Sequence, residues 1–157
     1  MVAGLELLQV LLVDDNRHTR RLVRAVLGTV GIEQVVEAAD GQEAFDLFCH
    51  SGIDLIVTDW EMTRLDGLTF VNLVRSSHQS PRPDVPILML TGHARLDRVR
   101  QAREAGIDGF VVKPFSARTL LEKSLAVTRG VVDDVRDPGA LEAADGALRS
   151  TQTSSRG

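Results

Sequence analysis

Five polar side chains stand where apolar runs end. Asp14 and Asp15 follow Leu7–Val13, Asp59 follows Leu55–Thr58, Thr91 follows Pro86–Leu90, and Lys113 follows Gly109–Val112. Such residues at one edge of a sheet would place three carboxylates, a hydroxyl and an ammonium together. Two unit charges about 5 Å apart repel by roughly 3 kcal/mol at an effective dielectric near 20. Three carboxylates therefore require a proton, a cation or both. An oxygen-only donor set without histidine or cysteine suits Mg²⁺ better than Zn²⁺. Lys113 adds a compact positive charge, and Thr91 a hydroxyl able to donate to an anion. Acids, a divalent cation, a lysine and a hydroxyl are the parts of a phosphoryl-transfer site, with a carboxylate as nucleophile through an aspartyl-phosphate.

The elements that position these residues are legible in the hydrophobic pattern. The apolar runs, with Gln34–Ala38 added, lack period-two alternation. They read as strands covered on both faces, as in a parallel sheet. Between them the helical period appears. Residues 17–28 group Leu22, Val23, Val26 and Leu27 on one face and Arg17, Arg20, Arg21 and Arg24 on the other. Asp40 and Glu43 form a cap pair for a second helix ending near Gly52, and a third runs from Gly67 to Ser77. A proline-rich loop precedes the fourth strand. A fourth helix spans Ala94–Ala105, stopping at Gly106, and a fifth follows a cap at Ser116. The result is an α/β, doubly wound (βα)5 open parallel sheet with right-handed crossovers; five units are too few for a barrel. The carboxyl ends of its strands, where the polar residues fall, form the ligand crevice of such a sheet.

Composition narrows the function. The 157 residues carry a net charge of −4, which does not mark a nucleic-acid binder. The single cysteine, Cys49, offers no disulfide or metal pattern, fits a reducing compartment, and is expected as a small buried apolar residue. No apolar run is long enough for a membrane helix, so a cytoplasmic location with no membrane association is expected. Phosphate-loop and dinucleotide glycine motifs are absent. Residues 1–130 read as the folded domain, and 131–157 as a flexible tail without an output domain, with at most a brief helix around Ala140–Leu148.

"LLVDDN", "IVTDWEM", "MLTG" and "FVVKPF" together resemble the motifs of the receiver domain of two-component response regulators, over residues 6–129. The resemblance implies a flavodoxin-like, CheY-like fold with strand order 2-1-3-4-5. It implies that Asp59 is the phosphoacceptor, and that Asp14, Asp15, Asp59 and the backbone carbonyl of Glu61 hold Mg²⁺. Thr91 and Lys113 would contact the phosphoryl group, and Lys113–Pro114 would be a cis peptide. Phe110 would be the aromatic that swings inward with Thr91. The implied protein is a signalling protein and not an enzyme. Its phosphoryl donor would be a histidine kinase or histidine phosphotransfer protein. It would signal to a downstream protein target through the helix 4–strand 5–helix 5 face, without direct DNA binding, and a homodimer formed on phosphorylation stays open.

The sequence departs from the family at Thr63, where proline is frequent, at Glu61, an added carboxylate two residues after the acceptor, and at His93, two residues after Thr91. The helix 1 arginines and the Arg95/Arg98/Arg100/Arg103 set read as solvated faces. His18, His50 and His78 read as surface residues, and Trp60 as packing beside the site. Two other functions remain in view: an aspartyl-phosphate-forming hydrolase of small phosphate esters, and a constitutive interaction module. Hydrolases of the haloacid-dehalogenase type place an Asp where Glu61 stands, and a complete acid set argues against the module.

Overall fold

The structure, a computed structural model, describes residues 4–93 and 95–130. The tail expectations, including the helix at Ala140–Leu148, lie outside the described residues. The strands are β1 (Gln9–Val13), β2 (Gln34–Ala38), β3 (Leu55–Asp59), β4 (Ile87–Thr91) and β5 (Gly109–Val112). The helices are α1 (Arg17–Gly28), α2 (Gly41–His50), α3 (Gly67–Ser76), α4 (Leu96–Ala105) and α5 (Ala117–Thr128). All strand pairs are parallel, in the order β2-β1-β3-β4-β5. The fold class expected from the sequence and the strand order implied by the family resemblance are therefore observed.

Successive residues of a strand face opposite sides of the sheet, and the two packing layers follow that alternation. Leu11, Val13, Ile56, Ile87 and Met89 join Phe45, Phe70, Val74 and Val99 of α2, α3 and α4. Val10, Leu12, Leu55, Val57, Leu88 and Leu90 join Val23, Leu27, Leu120 and Val127 of α1 and α5. The uninterrupted apolar runs thus feed two cores at once. β3 and β4 are buried at every position.

Side-chain caps fix the helix starts. Asn16 accepts from the His18 and Thr19 N–H groups, Asp40 from Glu43, Asp66 from Thr69 and Ser116 from Thr119, each cap satisfying amides that the helix leaves open. Glu43 returns a bond to the Ala39 N–H at 3.2 Å, one residue before the cap position expected of a capping box.

Several details differ from the sequence reading. Leu5–Leu7 form a 3-10 turn, so β1 begins at Gln9 and Leu7 is exposed. Leu22 is 54% exposed; the buried stripe of α1 is Val23, Val26 and Leu27, because 22 lies a further 100° around the helix from 23, on the arginine side. Cys49 is half-buried, its thiol 3.7 Å from the Gln79 carbonyl oxygen. α4 begins at Leu96, after Arg95, which provides no side-chain cap. Arg20 is not solvated: it reaches over the β1 end to donate to the Asp14 carbonyl oxygen at 2.6 Å and to Glu37 at 3.1 Å.

Candidate functional site

Each polar residue singled out by position lies at the carboxyl edge of the sheet. Asp59 and Thr91 are the last residues of β3 and β4, while Asp14 and Lys113 directly follow β1 and β5. β1, β3, β4 and β5 are adjacent in the sheet, so four chain segments far apart in sequence converge. Carboxylate oxygens of Asp14, Asp15 and Asp59 lie within 4.8 Å of one another, Asp14 and Asp59 buried and Asp15 exposed.

Lys113 crosses this cluster. Its Nζ stands 3.2 Å from Asp14 Oδ2 and 3.2 Å from Asp59 Oδ1. The Lys113–Pro114 peptide is cis. The Trp60 N–H also donates to Asp59 Oδ1, at 2.9 Å. Asp14 Oδ1 accepts from the Asn16 N–H at 2.8 Å. Both protein partners of the Asp59 carboxylate thus converge on one oxygen. No buried side-chain polar atom of the described residues lacks a partner, so Oδ2, which has none, is reached by solvent.

Electrostatics follow from this packing. Burial raises the Asp59 carboxyl above the ordinary aspartate range, and Asp14 adds to it; Lys113 and the Trp60 amide oppose the rise without cancelling it. For Lys113, burial works against the charge, but Asp59 and Asp14 outweigh it, leaving its pKa above the usual lysine value. The lysine neutralises part of the cluster's charge. The remaining acids form an oxygen-only donor set that fits a hard divalent cation such as Mg²⁺.

Thr91 is buried, its hydroxyl accepting from the His93 N–H at 3.1 Å and lying 3.2 Å from the His93 carbonyl oxygen. Phe110 is 5% exposed and belongs to the core layer under α2–α4, so any movement of its ring starts from a buried position. Glu61 turns its carboxylate to the rim, 2.9 Å from Arg98 and 3.5 Å from His93 Nε2. Trp60 is 4% exposed, with the Arg98 guanidinium 4.7 Å from its ring centroid.

Two glycines shape the loop between β3 and α3. A Cβ on Gly67 would collide with the Asp59 carbonyl oxygen and approach Trp60 Cα at 2.9 Å, while the Gly67 N–H donates to the Trp60 carbonyl at 2.8 Å. A Cβ on Gly41 would strike the carbonyl oxygen of Leu65, which accepts from the Gly41 N–H at 3.1 Å. Leu65 adopts a φ of 25°, the one non-glycine residue with positive φ among those described. Sequence reasoning singled out none of Gly41, Leu65, Arg20 or Arg98 as contributors to this edge. Gly67 was visible only as a helix boundary.

The family model of the response regulator receiver domain matches residues 10–124. The chain belongs to this family. It is a CheY-like receiver domain of two-component signalling. Among relatives, the chemotaxis protein CheY of Pseudomonas aeruginosa is 35% identical over 116 residues, covering 74% of this chain and 92% of that protein. CheY-3 of Vibrio cholerae is 34% identical over 116 residues, covering 74% of this chain and 88% of that protein. The structure of the chemotaxis response regulator CheY4 of Vibrio cholerae superposes with a TM-score of 0.69 at 36% identity, covering 76% of this chain and 98% of that one. The receiver domain of a Francisella response regulator gives 0.70 at 25% identity, over 78% of this chain and 97% of that one. No helix among the described residues of this receiver is long and apolar enough to cross a membrane.

Proposed function

We propose that this receiver accepts a phosphoryl group on Asp59 from a phosphohistidine of a histidine kinase or histidine phosphotransfer protein, with Mg²⁺, and passes the signal to a protein target. The observation that carries the reading is the asymmetry of Asp59: Lys113 and the Trp60 amide hold Oδ1, while Oδ2 has no protein partner and is reached by solvent. A carboxylate so held is oriented for in-line attack. The Asp59 oxygen forms the new O–P bond as the P–N bond of the donor breaks and the imidazole nitrogen takes a proton from solvent.

Asp14, Asp15, Asp59 and the Glu61 carbonyl would hold the ion, which when bound offsets charge on the phosphoryl oxygens. Lys113 supplies a second positive charge from the protein. Thr91 has only local backbone partners for its hydroxyl at His93, so it can exchange them for a phosphoryl oxygen. Such an exchange pulls on the end of β4, two residues beyond Met89, the register partner of Phe110 in β5. The repacking of Phe110 then reaches the α4–β5–α5 face, the proposed signalling surface. Residues 1–130 form the unit that carries these steps.

Incubation with a small-molecule phosphodonor tests the reading. A base-labile, acid-stable label is expected on the wild type with Mg²⁺, and not with chelator or in Asp59→Asn. Equal labelling of wild type and Asp59→Asn would sink it. Mg²⁺ should also change Trp60 fluorescence, since the Trp60 backbone N–H is bonded to Asp59 itself.

A further inference from the structure

The phosphoacceptor reading leaves one carboxylate unassigned. Glu61 is two residues beyond Asp59, in the loop that follows β3, close enough in sequence to add a fourth negative charge to the edge. Its side chain is nevertheless outside the cluster formed by Asp14, Asp15 and Asp59. Arg98, in the first turn of α4, donates from Nη1 to Glu61 Oε1 at 2.9 Å, and His93 Nε2 lies 3.5 Å from the same oxygen. The guanidinium is itself fixed, stacked 4.7 Å from the centroid of the buried Trp60 ring. One side chain from α4 therefore holds both residues that follow Asp59.

We propose that Arg98 is a positioning residue of the phosphoryl site: it clamps the Glu61 carboxylate at the rim and so keeps the site at three carboxylates. The proposal rests on Asp59 being the phosphoacceptor. A freed Glu61 would turn toward the divalent cation, the strongest positive charge within its reach. Two consequences follow. The cation would be held more tightly, and an anionic phosphodonor would meet one more negative charge on approach. An exposed ion pair is worth up to about 1 kcal/mol, which corresponds to about a fivefold change in an equilibrium constant. Stacking on Trp60 reduces the freedom of the arginine, which makes the clamp more effective than a mobile surface pair.

The test compares wild type, Arg98→Met, Glu61→Gln and the double variant. Mg²⁺ affinity is read by isothermal titration calorimetry, because Arg98 touches Trp60 and its loss would change the fluorescence baseline. The initial rate of labelling by acetyl phosphate is read at saturating Mg²⁺, and circular dichroism confirms folding. Expected for Arg98→Met is Mg²⁺ binding about threefold tighter and labelling slower by a similar factor. In the Glu61→Gln background the same Arg98 substitution should change neither. An Arg98→Met protein that is folded and matches wild type in both readings overturns the proposal. So does an effect that persists in the Glu61→Gln background, since Arg98 would then act on the donor directly. A wild type that binds Mg²⁺ but never labels at Asp59 overturns the phosphoacceptor reading and the proposal with it.

Discussion

Lys113 Nζ lies 3.2 Å from Asp59 Oδ1, and the same ammonium lies 3.2 Å from Asp14 Oδ2. The lysine and the two aspartates come from the ends of three strands, so the pairing exists only once β1, β3, β4 and β5 are assembled. It explains how a buried strand can end in a carboxylate. The charge is not tolerated by exposure, since Asp59 is 7% exposed and Asp14 fully buried; it is offset by a lysine fixed in the sheet edge.

Removal of that lysine should therefore weaken the metal-free protein and strengthen metal binding. In Lys113→Met the acids lose their internal counter-charge, so the Tm without Mg²⁺ should fall by several degrees and Mg²⁺ affinity should rise several-fold. Thermal melts with chelator and calorimetric titration measure the two. Unchanged Mg²⁺ affinity would show that the lysine does not offset the carboxylates. In the wild type, the raised lysine pKa adds stability that is complete below the ordinary lysine value and is lost as pH rises through the raised one.

Asp59 works in the opposite sense. Burial first, and Asp14 second, raise its carboxyl above the ordinary value. Between the ordinary and the raised value the native state keeps a proton that the unfolded chain has lost. Stability from this group thus falls as pH rises through that window and stays low above it. Asp59→Asn should melt a few degrees higher than wild type at neutral pH in chelator, and the difference should vanish below the ordinary aspartate pKa. Melts across pH measure this; a lower Tm for Asp59→Asn at neutral pH would contradict it.

Gly67→Ala should be costly for a reason unrelated to charge. The added methyl meets the backbone of Asp59 and Trp60, which cannot yield as a flexible side chain would. A loss of about 2 kcal/mol or more is expected, with reduced labelling of Asp59 in the folded fraction. Denaturant unfolding followed by Trp60 fluorescence gives the first quantity. A loss below about 0.5 kcal/mol would mean the loop rearranges freely.

Arg75 should show the reverse profile, with stability lost and chemistry kept. It donates to the carbonyls of Pro83, Val85 and Gly106 and to Asp108, tying α3 to the loop before β4 and to the α4–β5 turn at the end of the sheet away from the aspartates. Arg75→Met leaves those acceptors unpaired and should cost about 2 kcal/mol. Mg²⁺ affinity and labelling at low temperature should match wild type, which separates this network from the site.

Much of this was legible in the sequence for one physical reason. A parallel sheet buried on both faces writes its strands as apolar runs, and the first polar residue after each run marks the carboxyl edge. Asp14, Asp59, Thr91 and Lys113 were found that way. The misses share a cause too. Arg20 and Arg98 sit among charged neighbours in sequence and read as solvated helix faces; only the folded chain brings Arg20 to Asp14 and Glu37, and Arg98 to Glu61 and the Trp60 ring. Leu22 was assigned to the core because it is apolar, though its angle on α1 places it among the arginines. Gly41 and Leu65 meet across 24 residues of chain, a contact that no local pattern encodes.

The central claim is that Asp59 is the phosphorylated residue, and borohydride reduction of the protein treated with acetyl phosphate and Mg²⁺ tests it most directly. Reduction converts an aspartyl-phosphate to homoserine at the residue that carried it, and peptide mass spectrometry locates the change. Homoserine is predicted at position 59 alone, dependent on Mg²⁺ and absent from chelator controls. Homoserine at Asp14 or Asp15, or no conversion in a protein that demonstrably binds Mg²⁺, would contradict the account.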